Sequence, residues 1–190
     1  LGDVYKRQFP MGNFLQEIHS TPGGGSYIAW TELSGNVQNA IVESIANDGS
    51  SLWNGGIDLS QNSSHFRISP SLKISENSAQ IMAVWKETNG SQSQRGITAQ
   101  KLDSTGTRLW GSNGTPVVDM NSNYDYLDIS ISKFDEDLII TYLEQSPNMV
   151  GDIYSKRLDS LGNMIWENDP VIVTNSNTQK SDVDAKDGVN

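Results

Sequence analysis

The nine residues LDSTGTRLW, at positions 102–110, occur in related form three times along the chain, and this repetition decides the fold. The stretch overlays without a gap on IANDGSSLW at 45–53 and on LDSLGNMIW at 158–166. The closing tryptophans, Trp53, Trp110 and Trp166, therefore lie 57 and 56 residues apart. Repetition at a fixed period of this length is typical of architectures in which each copy is one supersecondary unit stacked on its neighbours.

Each copy of the motif contains a predicted tight turn between two β-rich runs. A type I β-turn prefers aspartate at its first position and glycine at its fourth, and the last two copies have both. The first copy keeps the glycine but has Ala46 in the aspartate position. The pattern predicts a β-hairpin in every copy, with its turn at Asp103 and Gly106, at Asp159 and Gly162, and at Gly49.

The register continues upstream of the turn. Trp30, Trp85 and Tyr142 are 55 and 57 residues apart, and a glutamate follows each of them two residues later. In the middle copy the pattern predicts four strands and then a crossover through residues 111–118. The strands are expected at residues 72–75, 80–85, 96–102 and 107–110.

Four strands in a unit of about 56 residues match the blade of a β-propeller in strand number. The sequence therefore predicts an all-β fold, a partial β-propeller of four-stranded antiparallel blades, with about three blades and the start of a fourth. An open β-sheet solenoid is the alternative. The blades are expected at residues 13–59, 69–118, 126–173 and 181–190.

The repeated residues are interpreted as structural. Trp53, Trp110 and Trp166 are expected at the start of the outer strand, wedged between blades. The full set of repeat-structural residues is Trp30, Trp53, Trp85, Trp110, Tyr142, Trp166, Gly49, Gly106, Gly162, Asp103 and Asp159.

Composition excludes several classes of function. The 190 residues include 13 Lys and Arg against 23 Asp and Glu, so the net charge of −10 disfavours nucleic-acid binding. The chain has no cysteine, which excludes disulfides and thiolate chemistry. No apolar run approaches the length of a membrane span.

The repeat pattern W-x-E … L-D-x-x-G-x-x-L-W resembles repeats in large secreted bacterial proteins. Such repeats are often predicted β-propellers, and the resemblance implies an extracellular or cell-surface location and additional blades or domains in the same chain. The hairpin also resembles the Asp-box of sialidases, but its spacing is one residue longer on each side of the glycine and no arginine triad accompanies it. Residues 1–8 resemble translated sequencing-adapter read-through, so residues 9–190 are treated as the fragment of a repeat domain.

The sequence offers no catalytic, metal-binding or cofactor-binding constellation. Glu32, Glu87 and Glu144 recur once in each copy, and a residue repeated in every copy is normally structural. His19 and His65 are isolated. The acidic stretches 181–188 and 125–137 are interpreted as solvated turn and loop acids, because their spacing departs from a calcium loop. An aromatic binding platform would use the off-register Tyr124 and Tyr126.

Three hypotheses for the function follow. The first is a non-catalytic, extracellular module that binds a glycan or a protein. The second is the propeller portion of a secreted polysaccharide-active or proteolytic enzyme, with catalytic residues outside this fragment. The third is a structural spacer in an adhesin-like chain.

Overall fold

A computed structural model describes residues 14–75, 79–148, 150–176 and 178–187. These residues form three four-stranded antiparallel sheets and contain no helix. Within these ranges no helix is long and apolar enough to cross a membrane. The prediction of an all-β fold with four-stranded antiparallel sheets is confirmed. The predicted read-through at residues 1–8 and the last three residues of the predicted fourth blade lie outside the described residues.

Each sheet is a meander, in which the strands lie side by side in chain order. The first sheet contains β1 (Phe14–Ser20), β2 (Ser26–Ser34), β3 (Val37–Ile45) and β4 (Ile57–Asp58). The second contains β5 (His65–Ile74), β6 (Ile81–Asn89), β7 (Arg95–Leu102) and β8 (Thr115–Asn121). The third contains β9 (Asp125–Phe134), β10 (Asp137–Gln145), β11 (Gly151–Leu158) and β12 (Val171–Thr174).

The second sheet is buried on both faces, and β6 shows why its sequence is apolar without a break. Side chains alternate between the two faces of a strand. Ile81, Ala83 and Trp85 pack into a core shared with the first sheet, whereas Met82 and Val84 pack into a core shared with the third. All five are essentially inaccessible to solvent.

The predicted fourth strand is wrong in position. Residues 107–110 contribute one isolated bridge, between Arg108 and Leu102, and the fourth strand of the sheet is β8, at Thr115–Asn121. The chain leaves the hairpin at Trp110, because the side-chain oxygen of Gln100 accepts a hydrogen bond from the Trp110 amide at 2.9 Å. Gly111, with a φ of 77°, then allows the turn that leads into β8.

The tryptophan that follows each of the first two hairpins contacts the turn of the next sheet. The Trp53 indole donates a hydrogen bond to the Ser104 carbonyl at 3.2 Å, and the Trp110 indole donates one to the Ser160 carbonyl at 3.2 Å. A Cβ atom at Gly162 would lie 2.9 Å from the Trp110 ring. Only glycine allows this close approach of turn and indole.

A further extended segment, residues 181–187, lies along β9. The Asp128 carboxylate accepts a hydrogen bond from the Val183 amide at 2.9 Å. The Glu17 carboxylate of β1 accepts one from the Leu72 amide of β5 at 2.6 Å. Both pairs are separated by 55 residues.

Candidate functional site

The three repeated glutamates lie at the same end of their sheets, near the C-terminal ends of the inner strands β2, β6 and β10. Although they hold the same position of the repeat, their surroundings differ. The Glu32 carboxylate accepts a hydrogen bond from the Trp30 indole at 3.2 Å. The buried Glu87 carboxylate accepts one from the Thr98 hydroxyl at 2.6 Å and lies 3.0 Å from His65 Nδ1. These two carboxylates have fixed partners within the fold.

Glu144 differs because another carboxylate faces it. It lies directly opposite Asp152 on β11 and opposite Tyr126 on β9. Burial raises the pKa of Glu144; a hydrogen bond with Tyr126 opposes that shift, and the negative charge of Asp152 adds to it. Like charges directly opposite on paired strands reduce the stability of a sheet. This arrangement is therefore kept at some cost to stability.

One oxygen of the Asp152 carboxylate also lacks a hydrogen-bond partner within the described ranges. Its Oδ1 atom is buried and has no hydrogen-bond partner among the described residues. An acceptor left in this state costs about 1–3 kcal/mol. A ligand hydroxyl that reached the atom would recover part of that cost.

Four tyrosines surround the two carboxylates. The ring centroids of Tyr126 and Tyr142 are 5.9 Å apart, and those of Tyr142 and Tyr154 are 5.8 Å apart. Burial raises the pKa of Tyr126 to about 12 and raises the pKa values of Tyr142 and Tyr154 as well. All three phenols are therefore protonated at neutral pH and can both donate and accept hydrogen bonds. We refer to Tyr124, Tyr126, Tyr142, Tyr154, Glu144 and Asp152 as the tyrosine–carboxylate cluster.

The cluster is open to solvent on one side. Tyr124 is 41% exposed, and Tyr154, Glu144 and Asp152 are partly exposed. Tyr126 is only 3% exposed, and its hydroxyl accepts a hydrogen bond from Asn121 at 2.6 Å. The proposed platform of Tyr124 with Tyr126 is therefore wrong, because Tyr126 faces the core shared with the second sheet.

Two of the remaining repeat tryptophans pack within the fold, and the two repeat aspartates lie in the hairpin turns. Trp85 is fully buried, and its indole nitrogen has no hydrogen-bond partner among the described residues. Trp30 is partly buried, and its ring would meet a Cβ atom at Gly56. The Asp103 and Asp159 carboxylates accept hydrogen bonds from backbone amides of their own turns, at 2.8–2.9 Å.

Two acidic residues of the stretch 125–137 form ion pairs with arginines. Asp125 pairs with Arg95 at 3.4 Å, and Asp137 pairs with Arg157 at 2.6 Å. His19 lies 3.0 Å from Glu17. No group of three or more potential metal-binding side chains gathers within the described ranges.

A cavity of about 1050 Å³ lies at the opposite end of the strands from the tyrosine–carboxylate cluster. Its wall combines small turn residues with Tyr27, Leu52, Lys73, Lys133 and Asp187. Lys73 and Asp187 pair with each other at 3.3 Å. We therefore place the candidate site at the cluster, where unsatisfied polar groups and aromatic rings meet.

No family model matches the chain, and no curated protein matches its sequence. Solved structures do match its fold. A polysaccharide lyase, Uly1, superimposes with a TM-score of 0.57 at 7% identity over 78% of this chain. An N-acetylgalactosamine deacetylase from F. plautii, solved with blood group B trisaccharide, superimposes with a TM-score of 0.54 at 10% identity over 85% of this chain.

A GH62 hydrolase in complex with xylotriose is a more distant match, with a TM-score of 0.46 at 12% identity over 88% of this chain and 52% of its own. The chain spans 39% of the lyase and 52% of the deacetylase. The all-β fold of this chain is thus shared with parts of larger carbohydrate-active enzymes.

Proposed function

We propose that the chain is a glycan-binding, non-catalytic repeat module of a larger exported protein. The observation that carries this proposal is the tyrosine–carboxylate cluster. Binding sites for small polar ligands combine aromatic surface with a few well-placed polar groups. The rings of Tyr124 and Tyr154 offer the surface, while Glu144 and Asp152 offer acceptors for sugar hydroxyls.

The proposed overall arrangement is a partial β-propeller, with the three sheets as successive blades. Its support is the meander order within each sheet, the burial of the second sheet on both faces, and the position of residues 181–187 along β9. Three blades are too few to close a ring. An open stack of sheets is the alternative arrangement. The repeat resemblance supports the extracellular or cell-surface location.

The test is glycan binding by the wild-type chain and by three variants. Neutral and acidic oligosaccharides are titrated in a calorimeter against the wild-type protein, Y154A, D152N and F134A. Because the proposed ligand contacts the Tyr154 ring and the partly exposed Asp152 carboxylate, Y154A and D152N should each weaken binding by about tenfold or more. Phe134 is 47% exposed at the other end of β9, so F134A is the matched aromatic control and should bind as the wild type does.

Absence of binding across the oligosaccharides would contradict the proposal. An equal loss of affinity in F134A and Y154A would also contradict it, because the effect would then not belong to the cluster. Far-ultraviolet circular dichroism of each variant separates loss of binding from loss of fold.

A second candidate function is favoured by one observation, the raised pKa of Glu144 opposite Asp152. A carboxyl group with a raised pKa beside a second carboxyl group is the combination that glycoside hydrolysis uses. Product formation from a bound oligosaccharide, lost in E144Q while binding persists, would establish an enzyme. Binding without turnover would support the non-catalytic module.

A further inference from the structure

The tyrosine–carboxylate cluster lies on the face of the third sheet that is turned toward the second sheet. Tyr142 packs in the core shared by these two sheets. Glu144 is two residues further along β10, so its side chain lies on the same face, and Asp152 shares that face because it lies directly opposite Glu144. The cluster therefore opens at the junction of two complete sheets and not on the face where a further repeat would pack.

Positive side chains that approach this end of the third sheet are paired with other groups. Arg95 lies 3.4 Å from Asp125, and Lys156 lies 3.3 Å from Asp169. The Lys180 amine donates hydrogen bonds to three backbone carbonyls. Within the part of the chain that the structure describes, no ion pair includes either carboxylate of the cluster. The negative charge of the cluster is thus not balanced there by a paired cation.

Burial and repulsion both act on Glu144. Burial raises the pKa of its carboxyl group and the charge of Asp152 raises it further, whereas only the hydrogen bond from Tyr126 opposes these effects. An opposite charge within about 4–6 Å stabilises an ionised carboxylate. A positively charged ligand group between Glu144 and Asp152 would therefore relieve the repulsion that the fold maintains.

Aromatic rings next to these carboxylates favour the same kind of ligand. Tyr142 forms an edge contact with Tyr126, at an interplanar angle of 74°, and a tilted contact with Tyr154, at 31°. Rings set at different angles present their faces in different directions. A cation within about 6 Å of the centroid of a tyrosine ring is attracted to the face of that ring. The cluster thus combines two carboxylates with rings that attract an ammonium group.

A metal ion fits the cluster less well than an ammonium group does. Calcium takes about 6–8 oxygen ligands, and within the described ranges no group of three or more potential metal ligands gathers. An ammonium group needs fewer partners, because it donates only three hydrogen bonds. The buried Asp152 Oδ1 atom, which lacks a partner among the described residues, can accept one of them.

We propose that the cluster selects glycans that carry a free, positively charged amino group, such as chains of unacetylated amino sugars. This inference rests on the proposed glycan binding and names the class of glycan. The ammonium group pairs with Glu144 and Asp152, while the sugar ring contacts Tyr124 or Tyr154. Acetylation of the amine removes the charge, and a hydroxyl in its place makes only neutral hydrogen-bond donors available, so both neutral forms bind more weakly.

The test compares three tetrasaccharides of the same linkage that differ at one position of each sugar. Tetramers of glucosamine, N-acetylglucosamine and glucose carry an ammonium, an acetamide and a hydroxyl group at that position. Each is titrated into the complete chain in a calorimeter at a mildly acidic pH, at which the sugar amines are protonated. Tetralysine with blocked termini carries the same number of amino groups without sugar rings, and it measures non-specific attraction to a chain of net charge −10.

The glucosamine tetramer should bind at least about tenfold more tightly than the two neutral tetramers and than tetralysine. Two variants of unchanged side-chain shape, D152N and E144Q, place this preference in the cluster. In each of them the ratio of the affinities for the glucosamine and glucose tetramers should fall below about threefold. D48N is the matched control, because it removes one carboxylate from an exposed turn of the first sheet and should keep the preference.

Equal affinity for the glucosamine and glucose tetramers overturns the inference but leaves the proposed glycan binding intact. Tetralysine that binds as tightly as the glucosamine tetramer overturns both, because the site then recognises charge alone, and so does the absence of binding by every tetrasaccharide. A preference that survives in D152N and E144Q places the site elsewhere and overturns the inference. Circular dichroism identifies a variant that fails to fold, and the comparison of ligands on the wild-type chain decides the inference in that case.

Discussion

The second and third sheets have the same strand order but differ in the side chains at the strand ends where the repeated glutamates lie. At four matched positions, residues of mixed chemistry in the second sheet are replaced by tyrosines in the third. The second sheet has His65, Arg67, Trp85 and Thr98, and the third has Tyr124, Tyr126, Tyr142 and Tyr154.

The difference decides what each glutamate can do. Glu87 is held by the Thr98 hydroxyl and by His65, so its carboxylate is used within the fold. Glu144 faces Asp152, and its pKa is raised. Groups that keep an unfavourable electrostatic arrangement mark sites of function more often than sites of stability. A repeat can thus preserve its architecture in every copy and carry a binding site in only one.

The largest difference between the two sheets is expected in how much stability each loses when the tryptophan after its hairpin is replaced. Trp110 is 6% exposed and lies against the turn of the third sheet, whereas Trp166 is only partly buried and its indole has no hydrogen bond to another turn among the described residues. W110A should lower the free energy of unfolding by about 3 kcal/mol or more, because a large cavity forms between two sheets. W166A should lower it by less than about 1 kcal/mol. Urea unfolding at a concentration where the protein is monomeric measures both.

Equal losses in the two variants would mean that Trp166 is packed as tightly as Trp110. F134A is the control for loss of a half-exposed aromatic ring, whose neighbour is the Arg157 guanidinium at 4.9 Å rather than the turn of a further sheet.

A second, smaller difference is expected at the glutamates. E87A leaves the buried Thr98 hydroxyl without its acceptor, so it should lower the free energy of unfolding by about 2 kcal/mol. E144A removes one partner of a repelling pair and should change the value by less than about 0.5 kcal/mol, or raise it. E32A removes a single acceptor for Trp30, so its loss of free energy of unfolding should lie between those of E87A and E144A.

Urea titrations at neutral pH give the order of the three variants. If E144A were the most destabilised, the Glu144 carboxylate would be a structural residue like Glu87. The comparison of the two sheets would then lose its functional meaning.

The four-stranded antiparallel sheets could be predicted from the sequence, because the motif at residues 102–110 fixes where each hairpin turns. The position of the fourth strand could not. Thr107 and Leu109 alternate like strand residues, but the Gln100 side chain binds the Trp110 amide and the chain leaves the sheet there. A side chain from a neighbouring strand decides this, and periodicity does not detect such a contact.

The candidate site was only partly predictable. The sequence predicts a platform at Tyr124 and Tyr126 because they lie off the repeat register, yet Tyr126 is buried opposite Glu144. The pairing of Glu144 with Asp152 depends on the register between β10 and β11, which is set by the loop between them. Since a shift of one residue would move Asp152 to the other face, composition and spacing alone could not place the two carboxylates together.

The smallest expected effect concerns how the free energy of unfolding depends on pH. The contributions of Glu144 and of the buried Glu43 of the first sheet should change with pH in opposite directions. For both residues burial favours the neutral acid. At Glu43 the Ser51 hydroxyl and the amides of Trp53 and Gly55 outweigh burial and lower the pKa. At Glu144 burial prevails and the pKa is raised.

These opposite shifts require opposite pH dependence. A carboxyl with a raised pKa contributes stability that is complete below its ordinary pKa of 4.5 and is lost as the pH rises through the folded-state value. A carboxyl with a lowered pKa contributes stability that is complete above 4.5 and is lost as the pH falls. The free energy of unfolding of the wild type minus that of E144Q should therefore decrease from pH 4.5 upward. The same difference for E43Q should decrease below pH 4.5, and two differences that decreased in the same direction would show that Glu144 is held as Glu43 is.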